Sequence, residues 1–233
     1  MSRINRRTAL SLLGSTALSA CASPQIVARD ETDPFEGGIG GTGIVGLLTD
    51  FGSLIVNGLR IEVTARTQVF DTFGPVSESA LATGQALTVY ATRNRDALIA
   101  RRVQINHAVV GTVEQTATGP KVNGVPLEVE RSASVVLTPG QRVAVSGLWA
   151  PDRLIVSRID AVCDGPDVIA GTLGSTSEDT MLDIGGASLR GALRGNQPGQ
   201  YTTVFGAGDA SGLNVDRLET GRFIGATDLR QLS

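Results

Sequence analysis

Apolar and polar residues alternate in short stretches along this chain, and no convincing amphipathic helical period interrupts them. Leu87, Val89 and Ala91 occupy every second position of one stretch, and Val143 and Val145 do so in another. Strict alternation is typical of a β-strand with one buried face. Glycine is frequent, at 29 residues, while aromatic residues make up only 4%. The sequence therefore predicts an all-β protein of short strands and tight turns with a small aliphatic core.

One stretch of the sequence occurs in three related copies. Each copy contains a Gly-Gln pair, and an Arg follows the Gln after the same interval of 17 residues. The three sets are Gly84-Gln85 with Arg102, Gly140-Gln141 with Arg158, and Gly199-Gln200 with Arg217. An interval of this length, kept in three places, indicates a tandem repeat of one structural unit.

Other landmarks repeat in step with the Gly-Gln pairs. An opening strand surrounds a glycine, and a tight turn follows at Asn57-Gly58, Asn123-Gly124 or Gly185-Gly186. Asn-Gly is a strong hairpin signal because both turn residues need positive φ. About five short strands per unit favour closure into a small OB-like or Greek-key barrel, which removes exposed edges. The predicted barrels span 43–106, 107–165 and 166–220, and residues 221–233 are an extra edge strand or a loose tail.

Residues 43–220 resemble an uncharacterised domain-of-unknown-function family of repeated OB-like barrels in exported bacterial proteins. The resemblance rests on the opening glycine, the Val-Asn-Gly turn, the Gly-Gln strand and the closing strand. It implies no activity. The third copy departs most, because its turn is Gly185-Gly186 and Pro198 precedes its Gly-Gln pair.

Residues 1–20 resemble a bacterial lipoprotein signal peptide. Arg3, Arg6 and Arg7 precede a short apolar run, and Leu18-Ser-Ala-Cys21 follows it. The resemblance implies cleavage before Cys21, lipid on its sulfur and amine, and an outer-membrane address facing the periplasm. The alternative is an ordinary secretory signal peptide with an accidental cysteine. The Arg6-Arg7 pair also resembles a twin-arginine export motif, so the export route stays open.

Residues 21–42 are predicted to form a flexible tether, since they are polar and glycine-rich. Four carboxylates lie within it, but their spacing does not match a calcium loop, and no metal or other cofactor is expected. Without residues 1–20 the side-chain charge is 17 − 23 = −6. An acidic chain repels phosphate backbones, which argues against nucleic-acid binding.

Two residues are candidates for chemistry. His107 is the only histidine, and it has no recognisable nucleophile pattern nearby, so it is expected to be structural or merely exposed. Cys163 lies in the connection between the second and third units. It is expected to be a small buried linker residue, and the alternative is a thiol that cross-links two chains. No catalytic residue is predicted.

Candidate partner-binding residues are Trp149, Arg102, Arg158 and Arg217. Trp149 is expected near an exposed hairpin tip, where it would stack on a sugar or anchor a partner. The three arginines are expected either to cover the ends of the barrels or to bind anionic groups on a polymer. Their apolar neighbours also need burial, and either a β-bulge beside each Arg or emergence of the strand at the barrel mouth would satisfy both requirements.

These features predict a non-catalytic, lipid-anchored envelope protein, built as a short rod of barrels, that binds or scaffolds another envelope protein or a polysaccharide. Two alternatives remain at this point. One is an envelope hydrolase or transferase with carboxylates in an inter-barrel cleft. The other is a passive spacer.

Overall fold

A computed structural model gives the fold of the chain. It describes residues 25–26, 43–50, 54–94, 97–129, 137–175, 181–191, 193 and 197–222. The predicted signal peptide, Cys21 and residues 223–233 lie outside this part. The described residues are almost entirely strands, with one short 3₁₀-helix at Glu78–Ala80, so the predicted all-β class is confirmed. No helix among them has the length and apolarity needed to cross a membrane.

The first group of strands closes into a ring, called ring 1 here. Its strands are β2 Gly43–Leu47, β3 Leu54–Val56, β4 Leu59–Glu62, β5 Gln68–Phe70, β6 Pro75–Val76, β7 Ala86–Asn94 and β8 Ala97–Asn106. The order is β2-β7-β8-β4-β3, and a bridge from Leu48 to Val56 joins β3 back to the end of β2. β4 and β5 run parallel to β8, while the other neighbours are antiparallel.

Ring 2 repeats this order without the insertion that carries β5 and β6. Its strands are β9 Val109–Thr116, β10 Gly119–Val122, β11 Val125–Glu128, β12 Arg142–Ala150 and β13 Arg153–Ala161. The order is β9-β10-β11-β13-β12, and β12 pairs with β9 to close the ring. β11 is parallel to β13, as β4 is to β8.

Ring 3 has the same order with its first strand split in two. Its strands are β14 Asp167–Thr172, β15 Gly174–Ser175, β16 Leu182–Ile184, β17 Ala187–Gly191, β18 Tyr201–Asp209 and β19 Gly212–Thr220. β14 pairs with β18 and β15 pairs with β16, so the two halves together link both sides of the ring. β17 is parallel to β19.

Positive backbone φ angles fall at the repeated turns. Asn57 and Asn123 both have φ of 51°, and Gly185 has 58°; the glycine after each is also positive. These are the values that a two-residue hairpin turn needs. The Gly-Gln turns behave alike, because Gly84, Gly140 and Gly199 have φ of 88°, 82° and 92°. Their N–H groups donate to the carbonyls of Leu48, Val113 and Leu173.

A β-bulge interrupts the last hairpin of every ring at the same point. The register shifts between Tyr90 and Ala91, between Ser146 and Gly147, and between Phe205 and Gly206. In each case the extra residue lies immediately before the repeated Arg. The bulge predicted beside these arginines is therefore present.

Rings 2 and 3 share one hydrophobic core. β9 pairs with β14 through Val109–Ile169 and Val110–Val168, which joins the two rings in one sheet. Both residues of the Val109–Ile169 pair are fully buried, and one core cluster extends across both rings. Ring 1 has its own core. Strand pairing therefore fuses rings 2 and 3, a connection that the predicted tandem arrangement of barrels did not include.

A short strand from the predicted tether also joins ring 2. This strand, β1 Gln25–Ile26, pairs antiparallel with β13 at Ile159 and Arg158. The prediction of a flexible tether is therefore wrong for these two residues. The remainder of residues 21–42 lies outside the described part.

Candidate functional site

The opening glycine of rings 1 and 2 makes room for the asparagine of the first turn. The Asn57 side-chain amide donates to the Val45 carbonyl, and that of Asn123 donates to the Val110 carbonyl over 2.8 Å. A Cβ on Gly46 or Gly111 would overlap the asparagine side chain. Both repeated features were visible in the sequence, but their contact was not predicted, because it crosses between neighbouring strands.

Ring 3 has no asparagine at this turn, and Trp149 of ring 2 takes its place. The indole Nε1–H donates to the Ala170 carbonyl over 2.9 Å. Ala170 precedes Gly171 as Val110 precedes Gly111. A Cβ on Gly185 would overlap the indole ring, and one on Gly171 would lie 3.0 Å from its Nε1. The expected exposed position of Trp149 is therefore wrong, because the side chain is partly buried in the joint between two rings.

The joint, by which we mean the contact between rings 2 and 3, contains a second side chain inserted into a space left by glycine. Asn123 of ring 2 also donates to the Val168 carbonyl of ring 3 over 3.2 Å. A Cβ on Gly208 of ring 3 would overlap the Asn123 side chain, and one on Gly124 would lie 2.6 Å from the Ser211 carbonyl carbon. Gly208 stands eight residues after its Gln, as Trp149 does in ring 2. Each ring thus inserts a side chain where the other ring has glycine.

All three rings meet around one cavity of about 240 Å³. Ring 1 contributes Val45 and Ala86, ring 2 contributes Leu148 and Trp149, and ring 3 contributes Tyr201. The lining is mainly apolar and includes two aromatic side chains. Because no single ring builds it, the cavity depends on the packing of all three.

Arg222 provides a positive charge at this cavity. Its guanidinium carbon lies 4.1 Å from the centre of the Tyr201 ring, a cation–π distance. Burial raises the pKa of Tyr201, while the Arg222 charge acts in the opposite direction. No carboxylate is among the described residues that line the cavity. The arrangement fits an anionic or polar ligand with an apolar face, and offers no acid pair for hydrolysis.

The recurring arginines do not form one surface. Arg158 is 5% exposed, its Nε donates to both Asp160 oxygens over 2.9 Å, and its Nη1 donates to the Thr83 carbonyl of ring 1 over 3.2 Å. Nearby, the Ser157 hydroxyl donates to the Gly84 carbonyl over 2.7 Å. Arg158 therefore connects ring 1 to ring 2, and its side chain is too buried to contact a partner.

Arg102 and Arg217 each stack on a phenylalanine. The guanidinium carbon of Arg102 lies 4.1 Å from the centre of the Phe70 ring, and that of Arg217 lies 3.7 Å from the Phe205 centre. Burial lowers the pKa of Arg102. Arg217 is more exposed and forms an ion pair with Glu219 on the same strand. Of the three arginines, Arg217 is the most accessible to a partner.

His107 is buried between rings 1 and 2, with 8% of its surface exposed. Its backbone N–H donates to the Thr72 hydroxyl over 3.4 Å, and its Nδ1 has no hydrogen-bond partner among the described residues. Burial lowers its pKa, while the charges of Asp160 and Asp71 raise it and that of Arg158 lowers it. The described residues contain no group of three metal-ligating side chains.

Cys163 is exposed, so the expected burial of this linker residue is wrong. The structure gives Cys163 as disulfide-bonded. The chain's other cysteine, Cys21, lies outside the described residues.

The fold defines a class of all-β proteins in which one strand order is repeated in three joined rings. Comparison with known families adds a match over the first ring: residues 42–104 match the model of DUF5666, a domain of unknown function. No curated protein and no solved structure matches the chain. The family match ends within β8, so it concerns ring 1 alone.

Proposed function

We propose that this protein is a non-catalytic, lipid-anchored binding module of the bacterial cell envelope. Its ligand site is the cavity between the three rings, and its ligand is an acidic sugar unit of an envelope polysaccharide. The observation that carries the proposal is the composite cavity with Trp149, Tyr201 and Arg222 in its lining.

The strand order supports a binding role. In each ring the first strand pairs with the second and fourth, and the third runs parallel to the fifth, when ring 1 is counted without β5 and β6. This order supports the proposal of an OB-like barrel, a fold that binds oligosaccharides and oligonucleotides. The net acidity of the chain disfavours oligonucleotides. The fold alone does not identify the ligand, so the choice of ligand rests on the residues that line the cavity.

The cavity chemistry favours an acidic sugar over a protein partner. Aromatic side chains pack against the apolar face of a ring, and a guanidinium pairs with a carboxylate in a planar fork. The volume of about 240 Å³ lies below the roughly 300–1,000 Å³ of typical ligand pockets. A site of this size accepts one sugar unit or a chain end, whereas a protein partner needs a wider surface.

Membrane attachment is proposed to occur through lipid on Cys21. A thioether on Cys21 and a disulfide from Cys163 to Cys21 exclude each other because both need the same sulfur, so the lipid-anchored protein carries no disulfide between these two residues. β1 begins at Gln25 and pairs with β13 of ring 2. Four residue steps separate Cys21 from Gln25, and an extended chain spans at most about 3.6 Å per residue. In the anchored protein, ring 2 would therefore lie about 14 Å or less from the lipid-bearing residue. The site would then face material close to the membrane surface.

Tryptophan fluorescence tests the binding proposal directly, because Trp149 is the only tryptophan. The protein is titrated with oligomers of a uronic acid and, separately, with neutral glucose oligomers of the same length. We expect the uronic acid oligomers to change the emission in a saturable way and the neutral ones to bind about tenfold more weakly or worse, a loss of about 1.4 kcal/mol.

Two arginine variants supply the control. Arg222→Gln removes the charge at the cavity and should reduce affinity for the acidic oligomers to that for neutral ones. Arg190→Gln removes another partly exposed arginine, which pairs with Asp209 away from the cavity lining, and should bind like the wild type. An absence of saturable binding to either sugar, or equal affinity in the Arg222→Gln variant, would overturn the proposed ligand.

A further inference from the structure

Asn106, the last residue of β8, is a polar side chain that ring 1 contributes to the cavity lining. Its neighbour Ile105 belongs to the core of ring 1, so the alternation of the strand directs Asn106 out of the ring and towards the cavity. The residue is 9% exposed. An amide buried to this degree is expected to have hydrogen-bond partners for both its nitrogen and its oxygen.

The nitrogen of this amide has a partner within ring 1. Asn106 Nδ2 donates to the Thr88 hydroxyl over 2.8 Å, which fixes the orientation of the amide group. No described residue donates a hydrogen bond to Asn106 Oδ1, and this oxygen is not one of the fully enclosed polar atoms that lack a partner. Asn106 Oδ1 is therefore an acceptor that a ligand can reach through the cavity.

Comparison with ring 2 shows that the fold does not require this amide. Val162 occupies the position of Asn106 there, four residues after the repeated Arg, and Ala144 occupies the position of Thr88, three residues after the repeated Gln. Ala144 is buried in a small apolar cluster, and Val162 packs against that cluster. Apolar packing thus fills the place in ring 2, whereas in ring 1 the same place has a polar pair beside the cavity.

Each ring contributes a different kind of group to the cavity. Ring 3 contributes the Arg222 guanidinium, a positively charged donor, and ring 1 contributes the Asn106 acceptor. Ring 2 contributes Trp149, whose N–H already donates to the Ala170 carbonyl, so the indole offers a ligand an apolar face. A ligand that satisfies all three needs an anionic group, an apolar face and a hydroxyl or N–H donor.

We propose that Asn106 selects the ligand of the cavity by accepting a hydrogen bond from one sugar hydroxyl, while Arg222 pairs with the carboxylate of the same sugar. This inference rests on the proposed function, because it assigns a second polar contact to the same ligand. The direction in which a ring hydroxyl donates depends on its configuration, so an acceptor fixed in position distinguishes an axial from an equatorial hydroxyl. A buried acceptor left unpaired by the wrong epimer costs binding free energy, which makes such a site selective.

Titrations of the Trp149 emission with sodium glucuronate, galacturonate and mannuronate test this selection. Galacturonate differs from glucuronate only in the configuration at C4, and mannuronate only at C2, so all three carry the same charge. We expect the wild type to bind one of the three at least about tenfold more tightly than one of its epimers. Asn106→Leu should reduce this ratio of affinities to about twofold or less. Arg222→Gln should weaken binding of all three and leave the ratio unchanged.

Two further variants separate the loss of the acceptor from a general disturbance of the site. Asn106→Asp keeps the size of the side chain and an acceptor oxygen, so it should keep the ratio while its charge weakens binding of all three uronates. Asn214→Leu replaces an exposed asparagine of β19 outside the cavity lining and should keep both the affinities and the ratio. Far-UV circular dichroism and urea unfolding show whether each variant is folded.

The outcomes distinguish a failure of this inference from a failure of the proposed function. Equal binding of the three uronates by the wild type would overturn the role of Asn106 and leave the proposed binding function standing. An unchanged ratio in folded Asn106→Leu, or a lost ratio in Asn106→Asp, would overturn that role too. If none of the three monosaccharides binds in a saturable way, the inference fails, and the titration with uronic acid oligomers then decides whether the proposed function fails with it.

Discussion

The indole of Trp149 packs directly on the backbone of Gly185, which belongs to the next ring. In rings 1 and 2 the equivalent turn residue is an asparagine whose amide binds the carbonyl before the opening glycine. In ring 3 the turn residue is glycine, and the Trp149 indole N–H reaches the equivalent carbonyl from ring 2. A contact made inside one repeat is thus replaced by a contact between repeats, which locks rings 2 and 3 together.

Gly185→Ala should destabilise the protein more than Gly186→Ala. Both glycines have positive φ, where alanine costs about 1–2 kcal/mol. At Gly186 a Cβ would meet nothing within 4 Å, whereas at Gly185 it would overlap the Trp149 ring. We therefore expect a further loss of about 1–3 kcal/mol at Gly185 from overpacking. The free energy of unfolding in urea measures both. Equal losses in the two variants would show that the Trp149 contact does not constrain this turn.

Asn123→Asp should test the reciprocal side of the joint without changing its shape. Asn123 is 3% exposed, and its amide donates to the Val110 and Val168 carbonyls. An aspartate would turn two attractive contacts into repulsive ones and bury a charge. We expect a loss of about 3 kcal/mol or more at neutral pH, decreasing as the pH falls and the carboxyl is protonated. Urea unfolding at two pH values measures this.

Asn57→Asp is the matched control for that variant. Asn57 has the same φ but is less buried, and its amide contacts a carbonyl of its own ring. The loss should be smaller than at Asn123. If the Asn57 variant loses as much stability as the Asn123 variant, the contact with ring 3 is not what makes position 123 sensitive.

Local chemistry explains which parts of this fold were predictable. The Asn-Gly and Gly-Gln turns require positive φ, so residues such as Asn57 and Gly84 reveal them in any context. The bulge was predictable because Arg158 and Ile159, adjacent in sequence, compete for the same face. Each of these signals acts within a few residues or across one hairpin, and the repeat shows it three times.

The cavity and the joint were not predictable in the same way. The position of Trp149 depends on how two rings pack, and strand alternation contains no information about that. The sequence does contain a weak signal. The third copy lacks the turn asparagine, and it has Gly208 at the position where the second copy has Trp149. The two changes are far apart in the sequence, and no local pattern relates one to the other. Tyr201 and Arg222 lie together within ring 3, where the Gly221 N–H donates to the Tyr201 carbonyl, but the cavity that they line forms only where three rings meet, so their part in it was not predicted.

Stability should fall as the pH drops below about 6.5, because His107 is buried and neutral. Burial lowers its folded pKa beneath the ordinary value of 6.5. Between the two values the unfolded chain binds more protons than the folded one, so protonation favours unfolding as the pH decreases. The stability that neutral His107 contributes is complete above its pKa in the unfolded chain. It is lost as the pH falls towards its pKa in the folded protein, by at most about 1.4 kcal/mol per pH unit.

Urea unfolding of wild type and His107→Gln between pH 5 and pH 7 would measure this effect. The variant should show a flatter dependence in this range, because most carboxylates titrate lower, near about pH 4. The same slope in both proteins would mean that another group, and not His107, binds the extra proton on unfolding.

Membrane attachment should depend on Cys21 and not on Cys163. Lipid on Cys21 makes attachment stable because each buried CH₂ contributes about 0.8 kcal/mol and more than one chain is present. Cys21→Ser removes the sulfur that would carry the thioether, so the exported protein should move from the membrane fraction to the soluble fraction. Cys163→Ser removes the other sulfur and should leave the protein with membranes. Fractionation after an alkaline carbonate wash measures both, and a Cys21→Ser protein that stays with membranes would exclude lipid on Cys21 as the anchor.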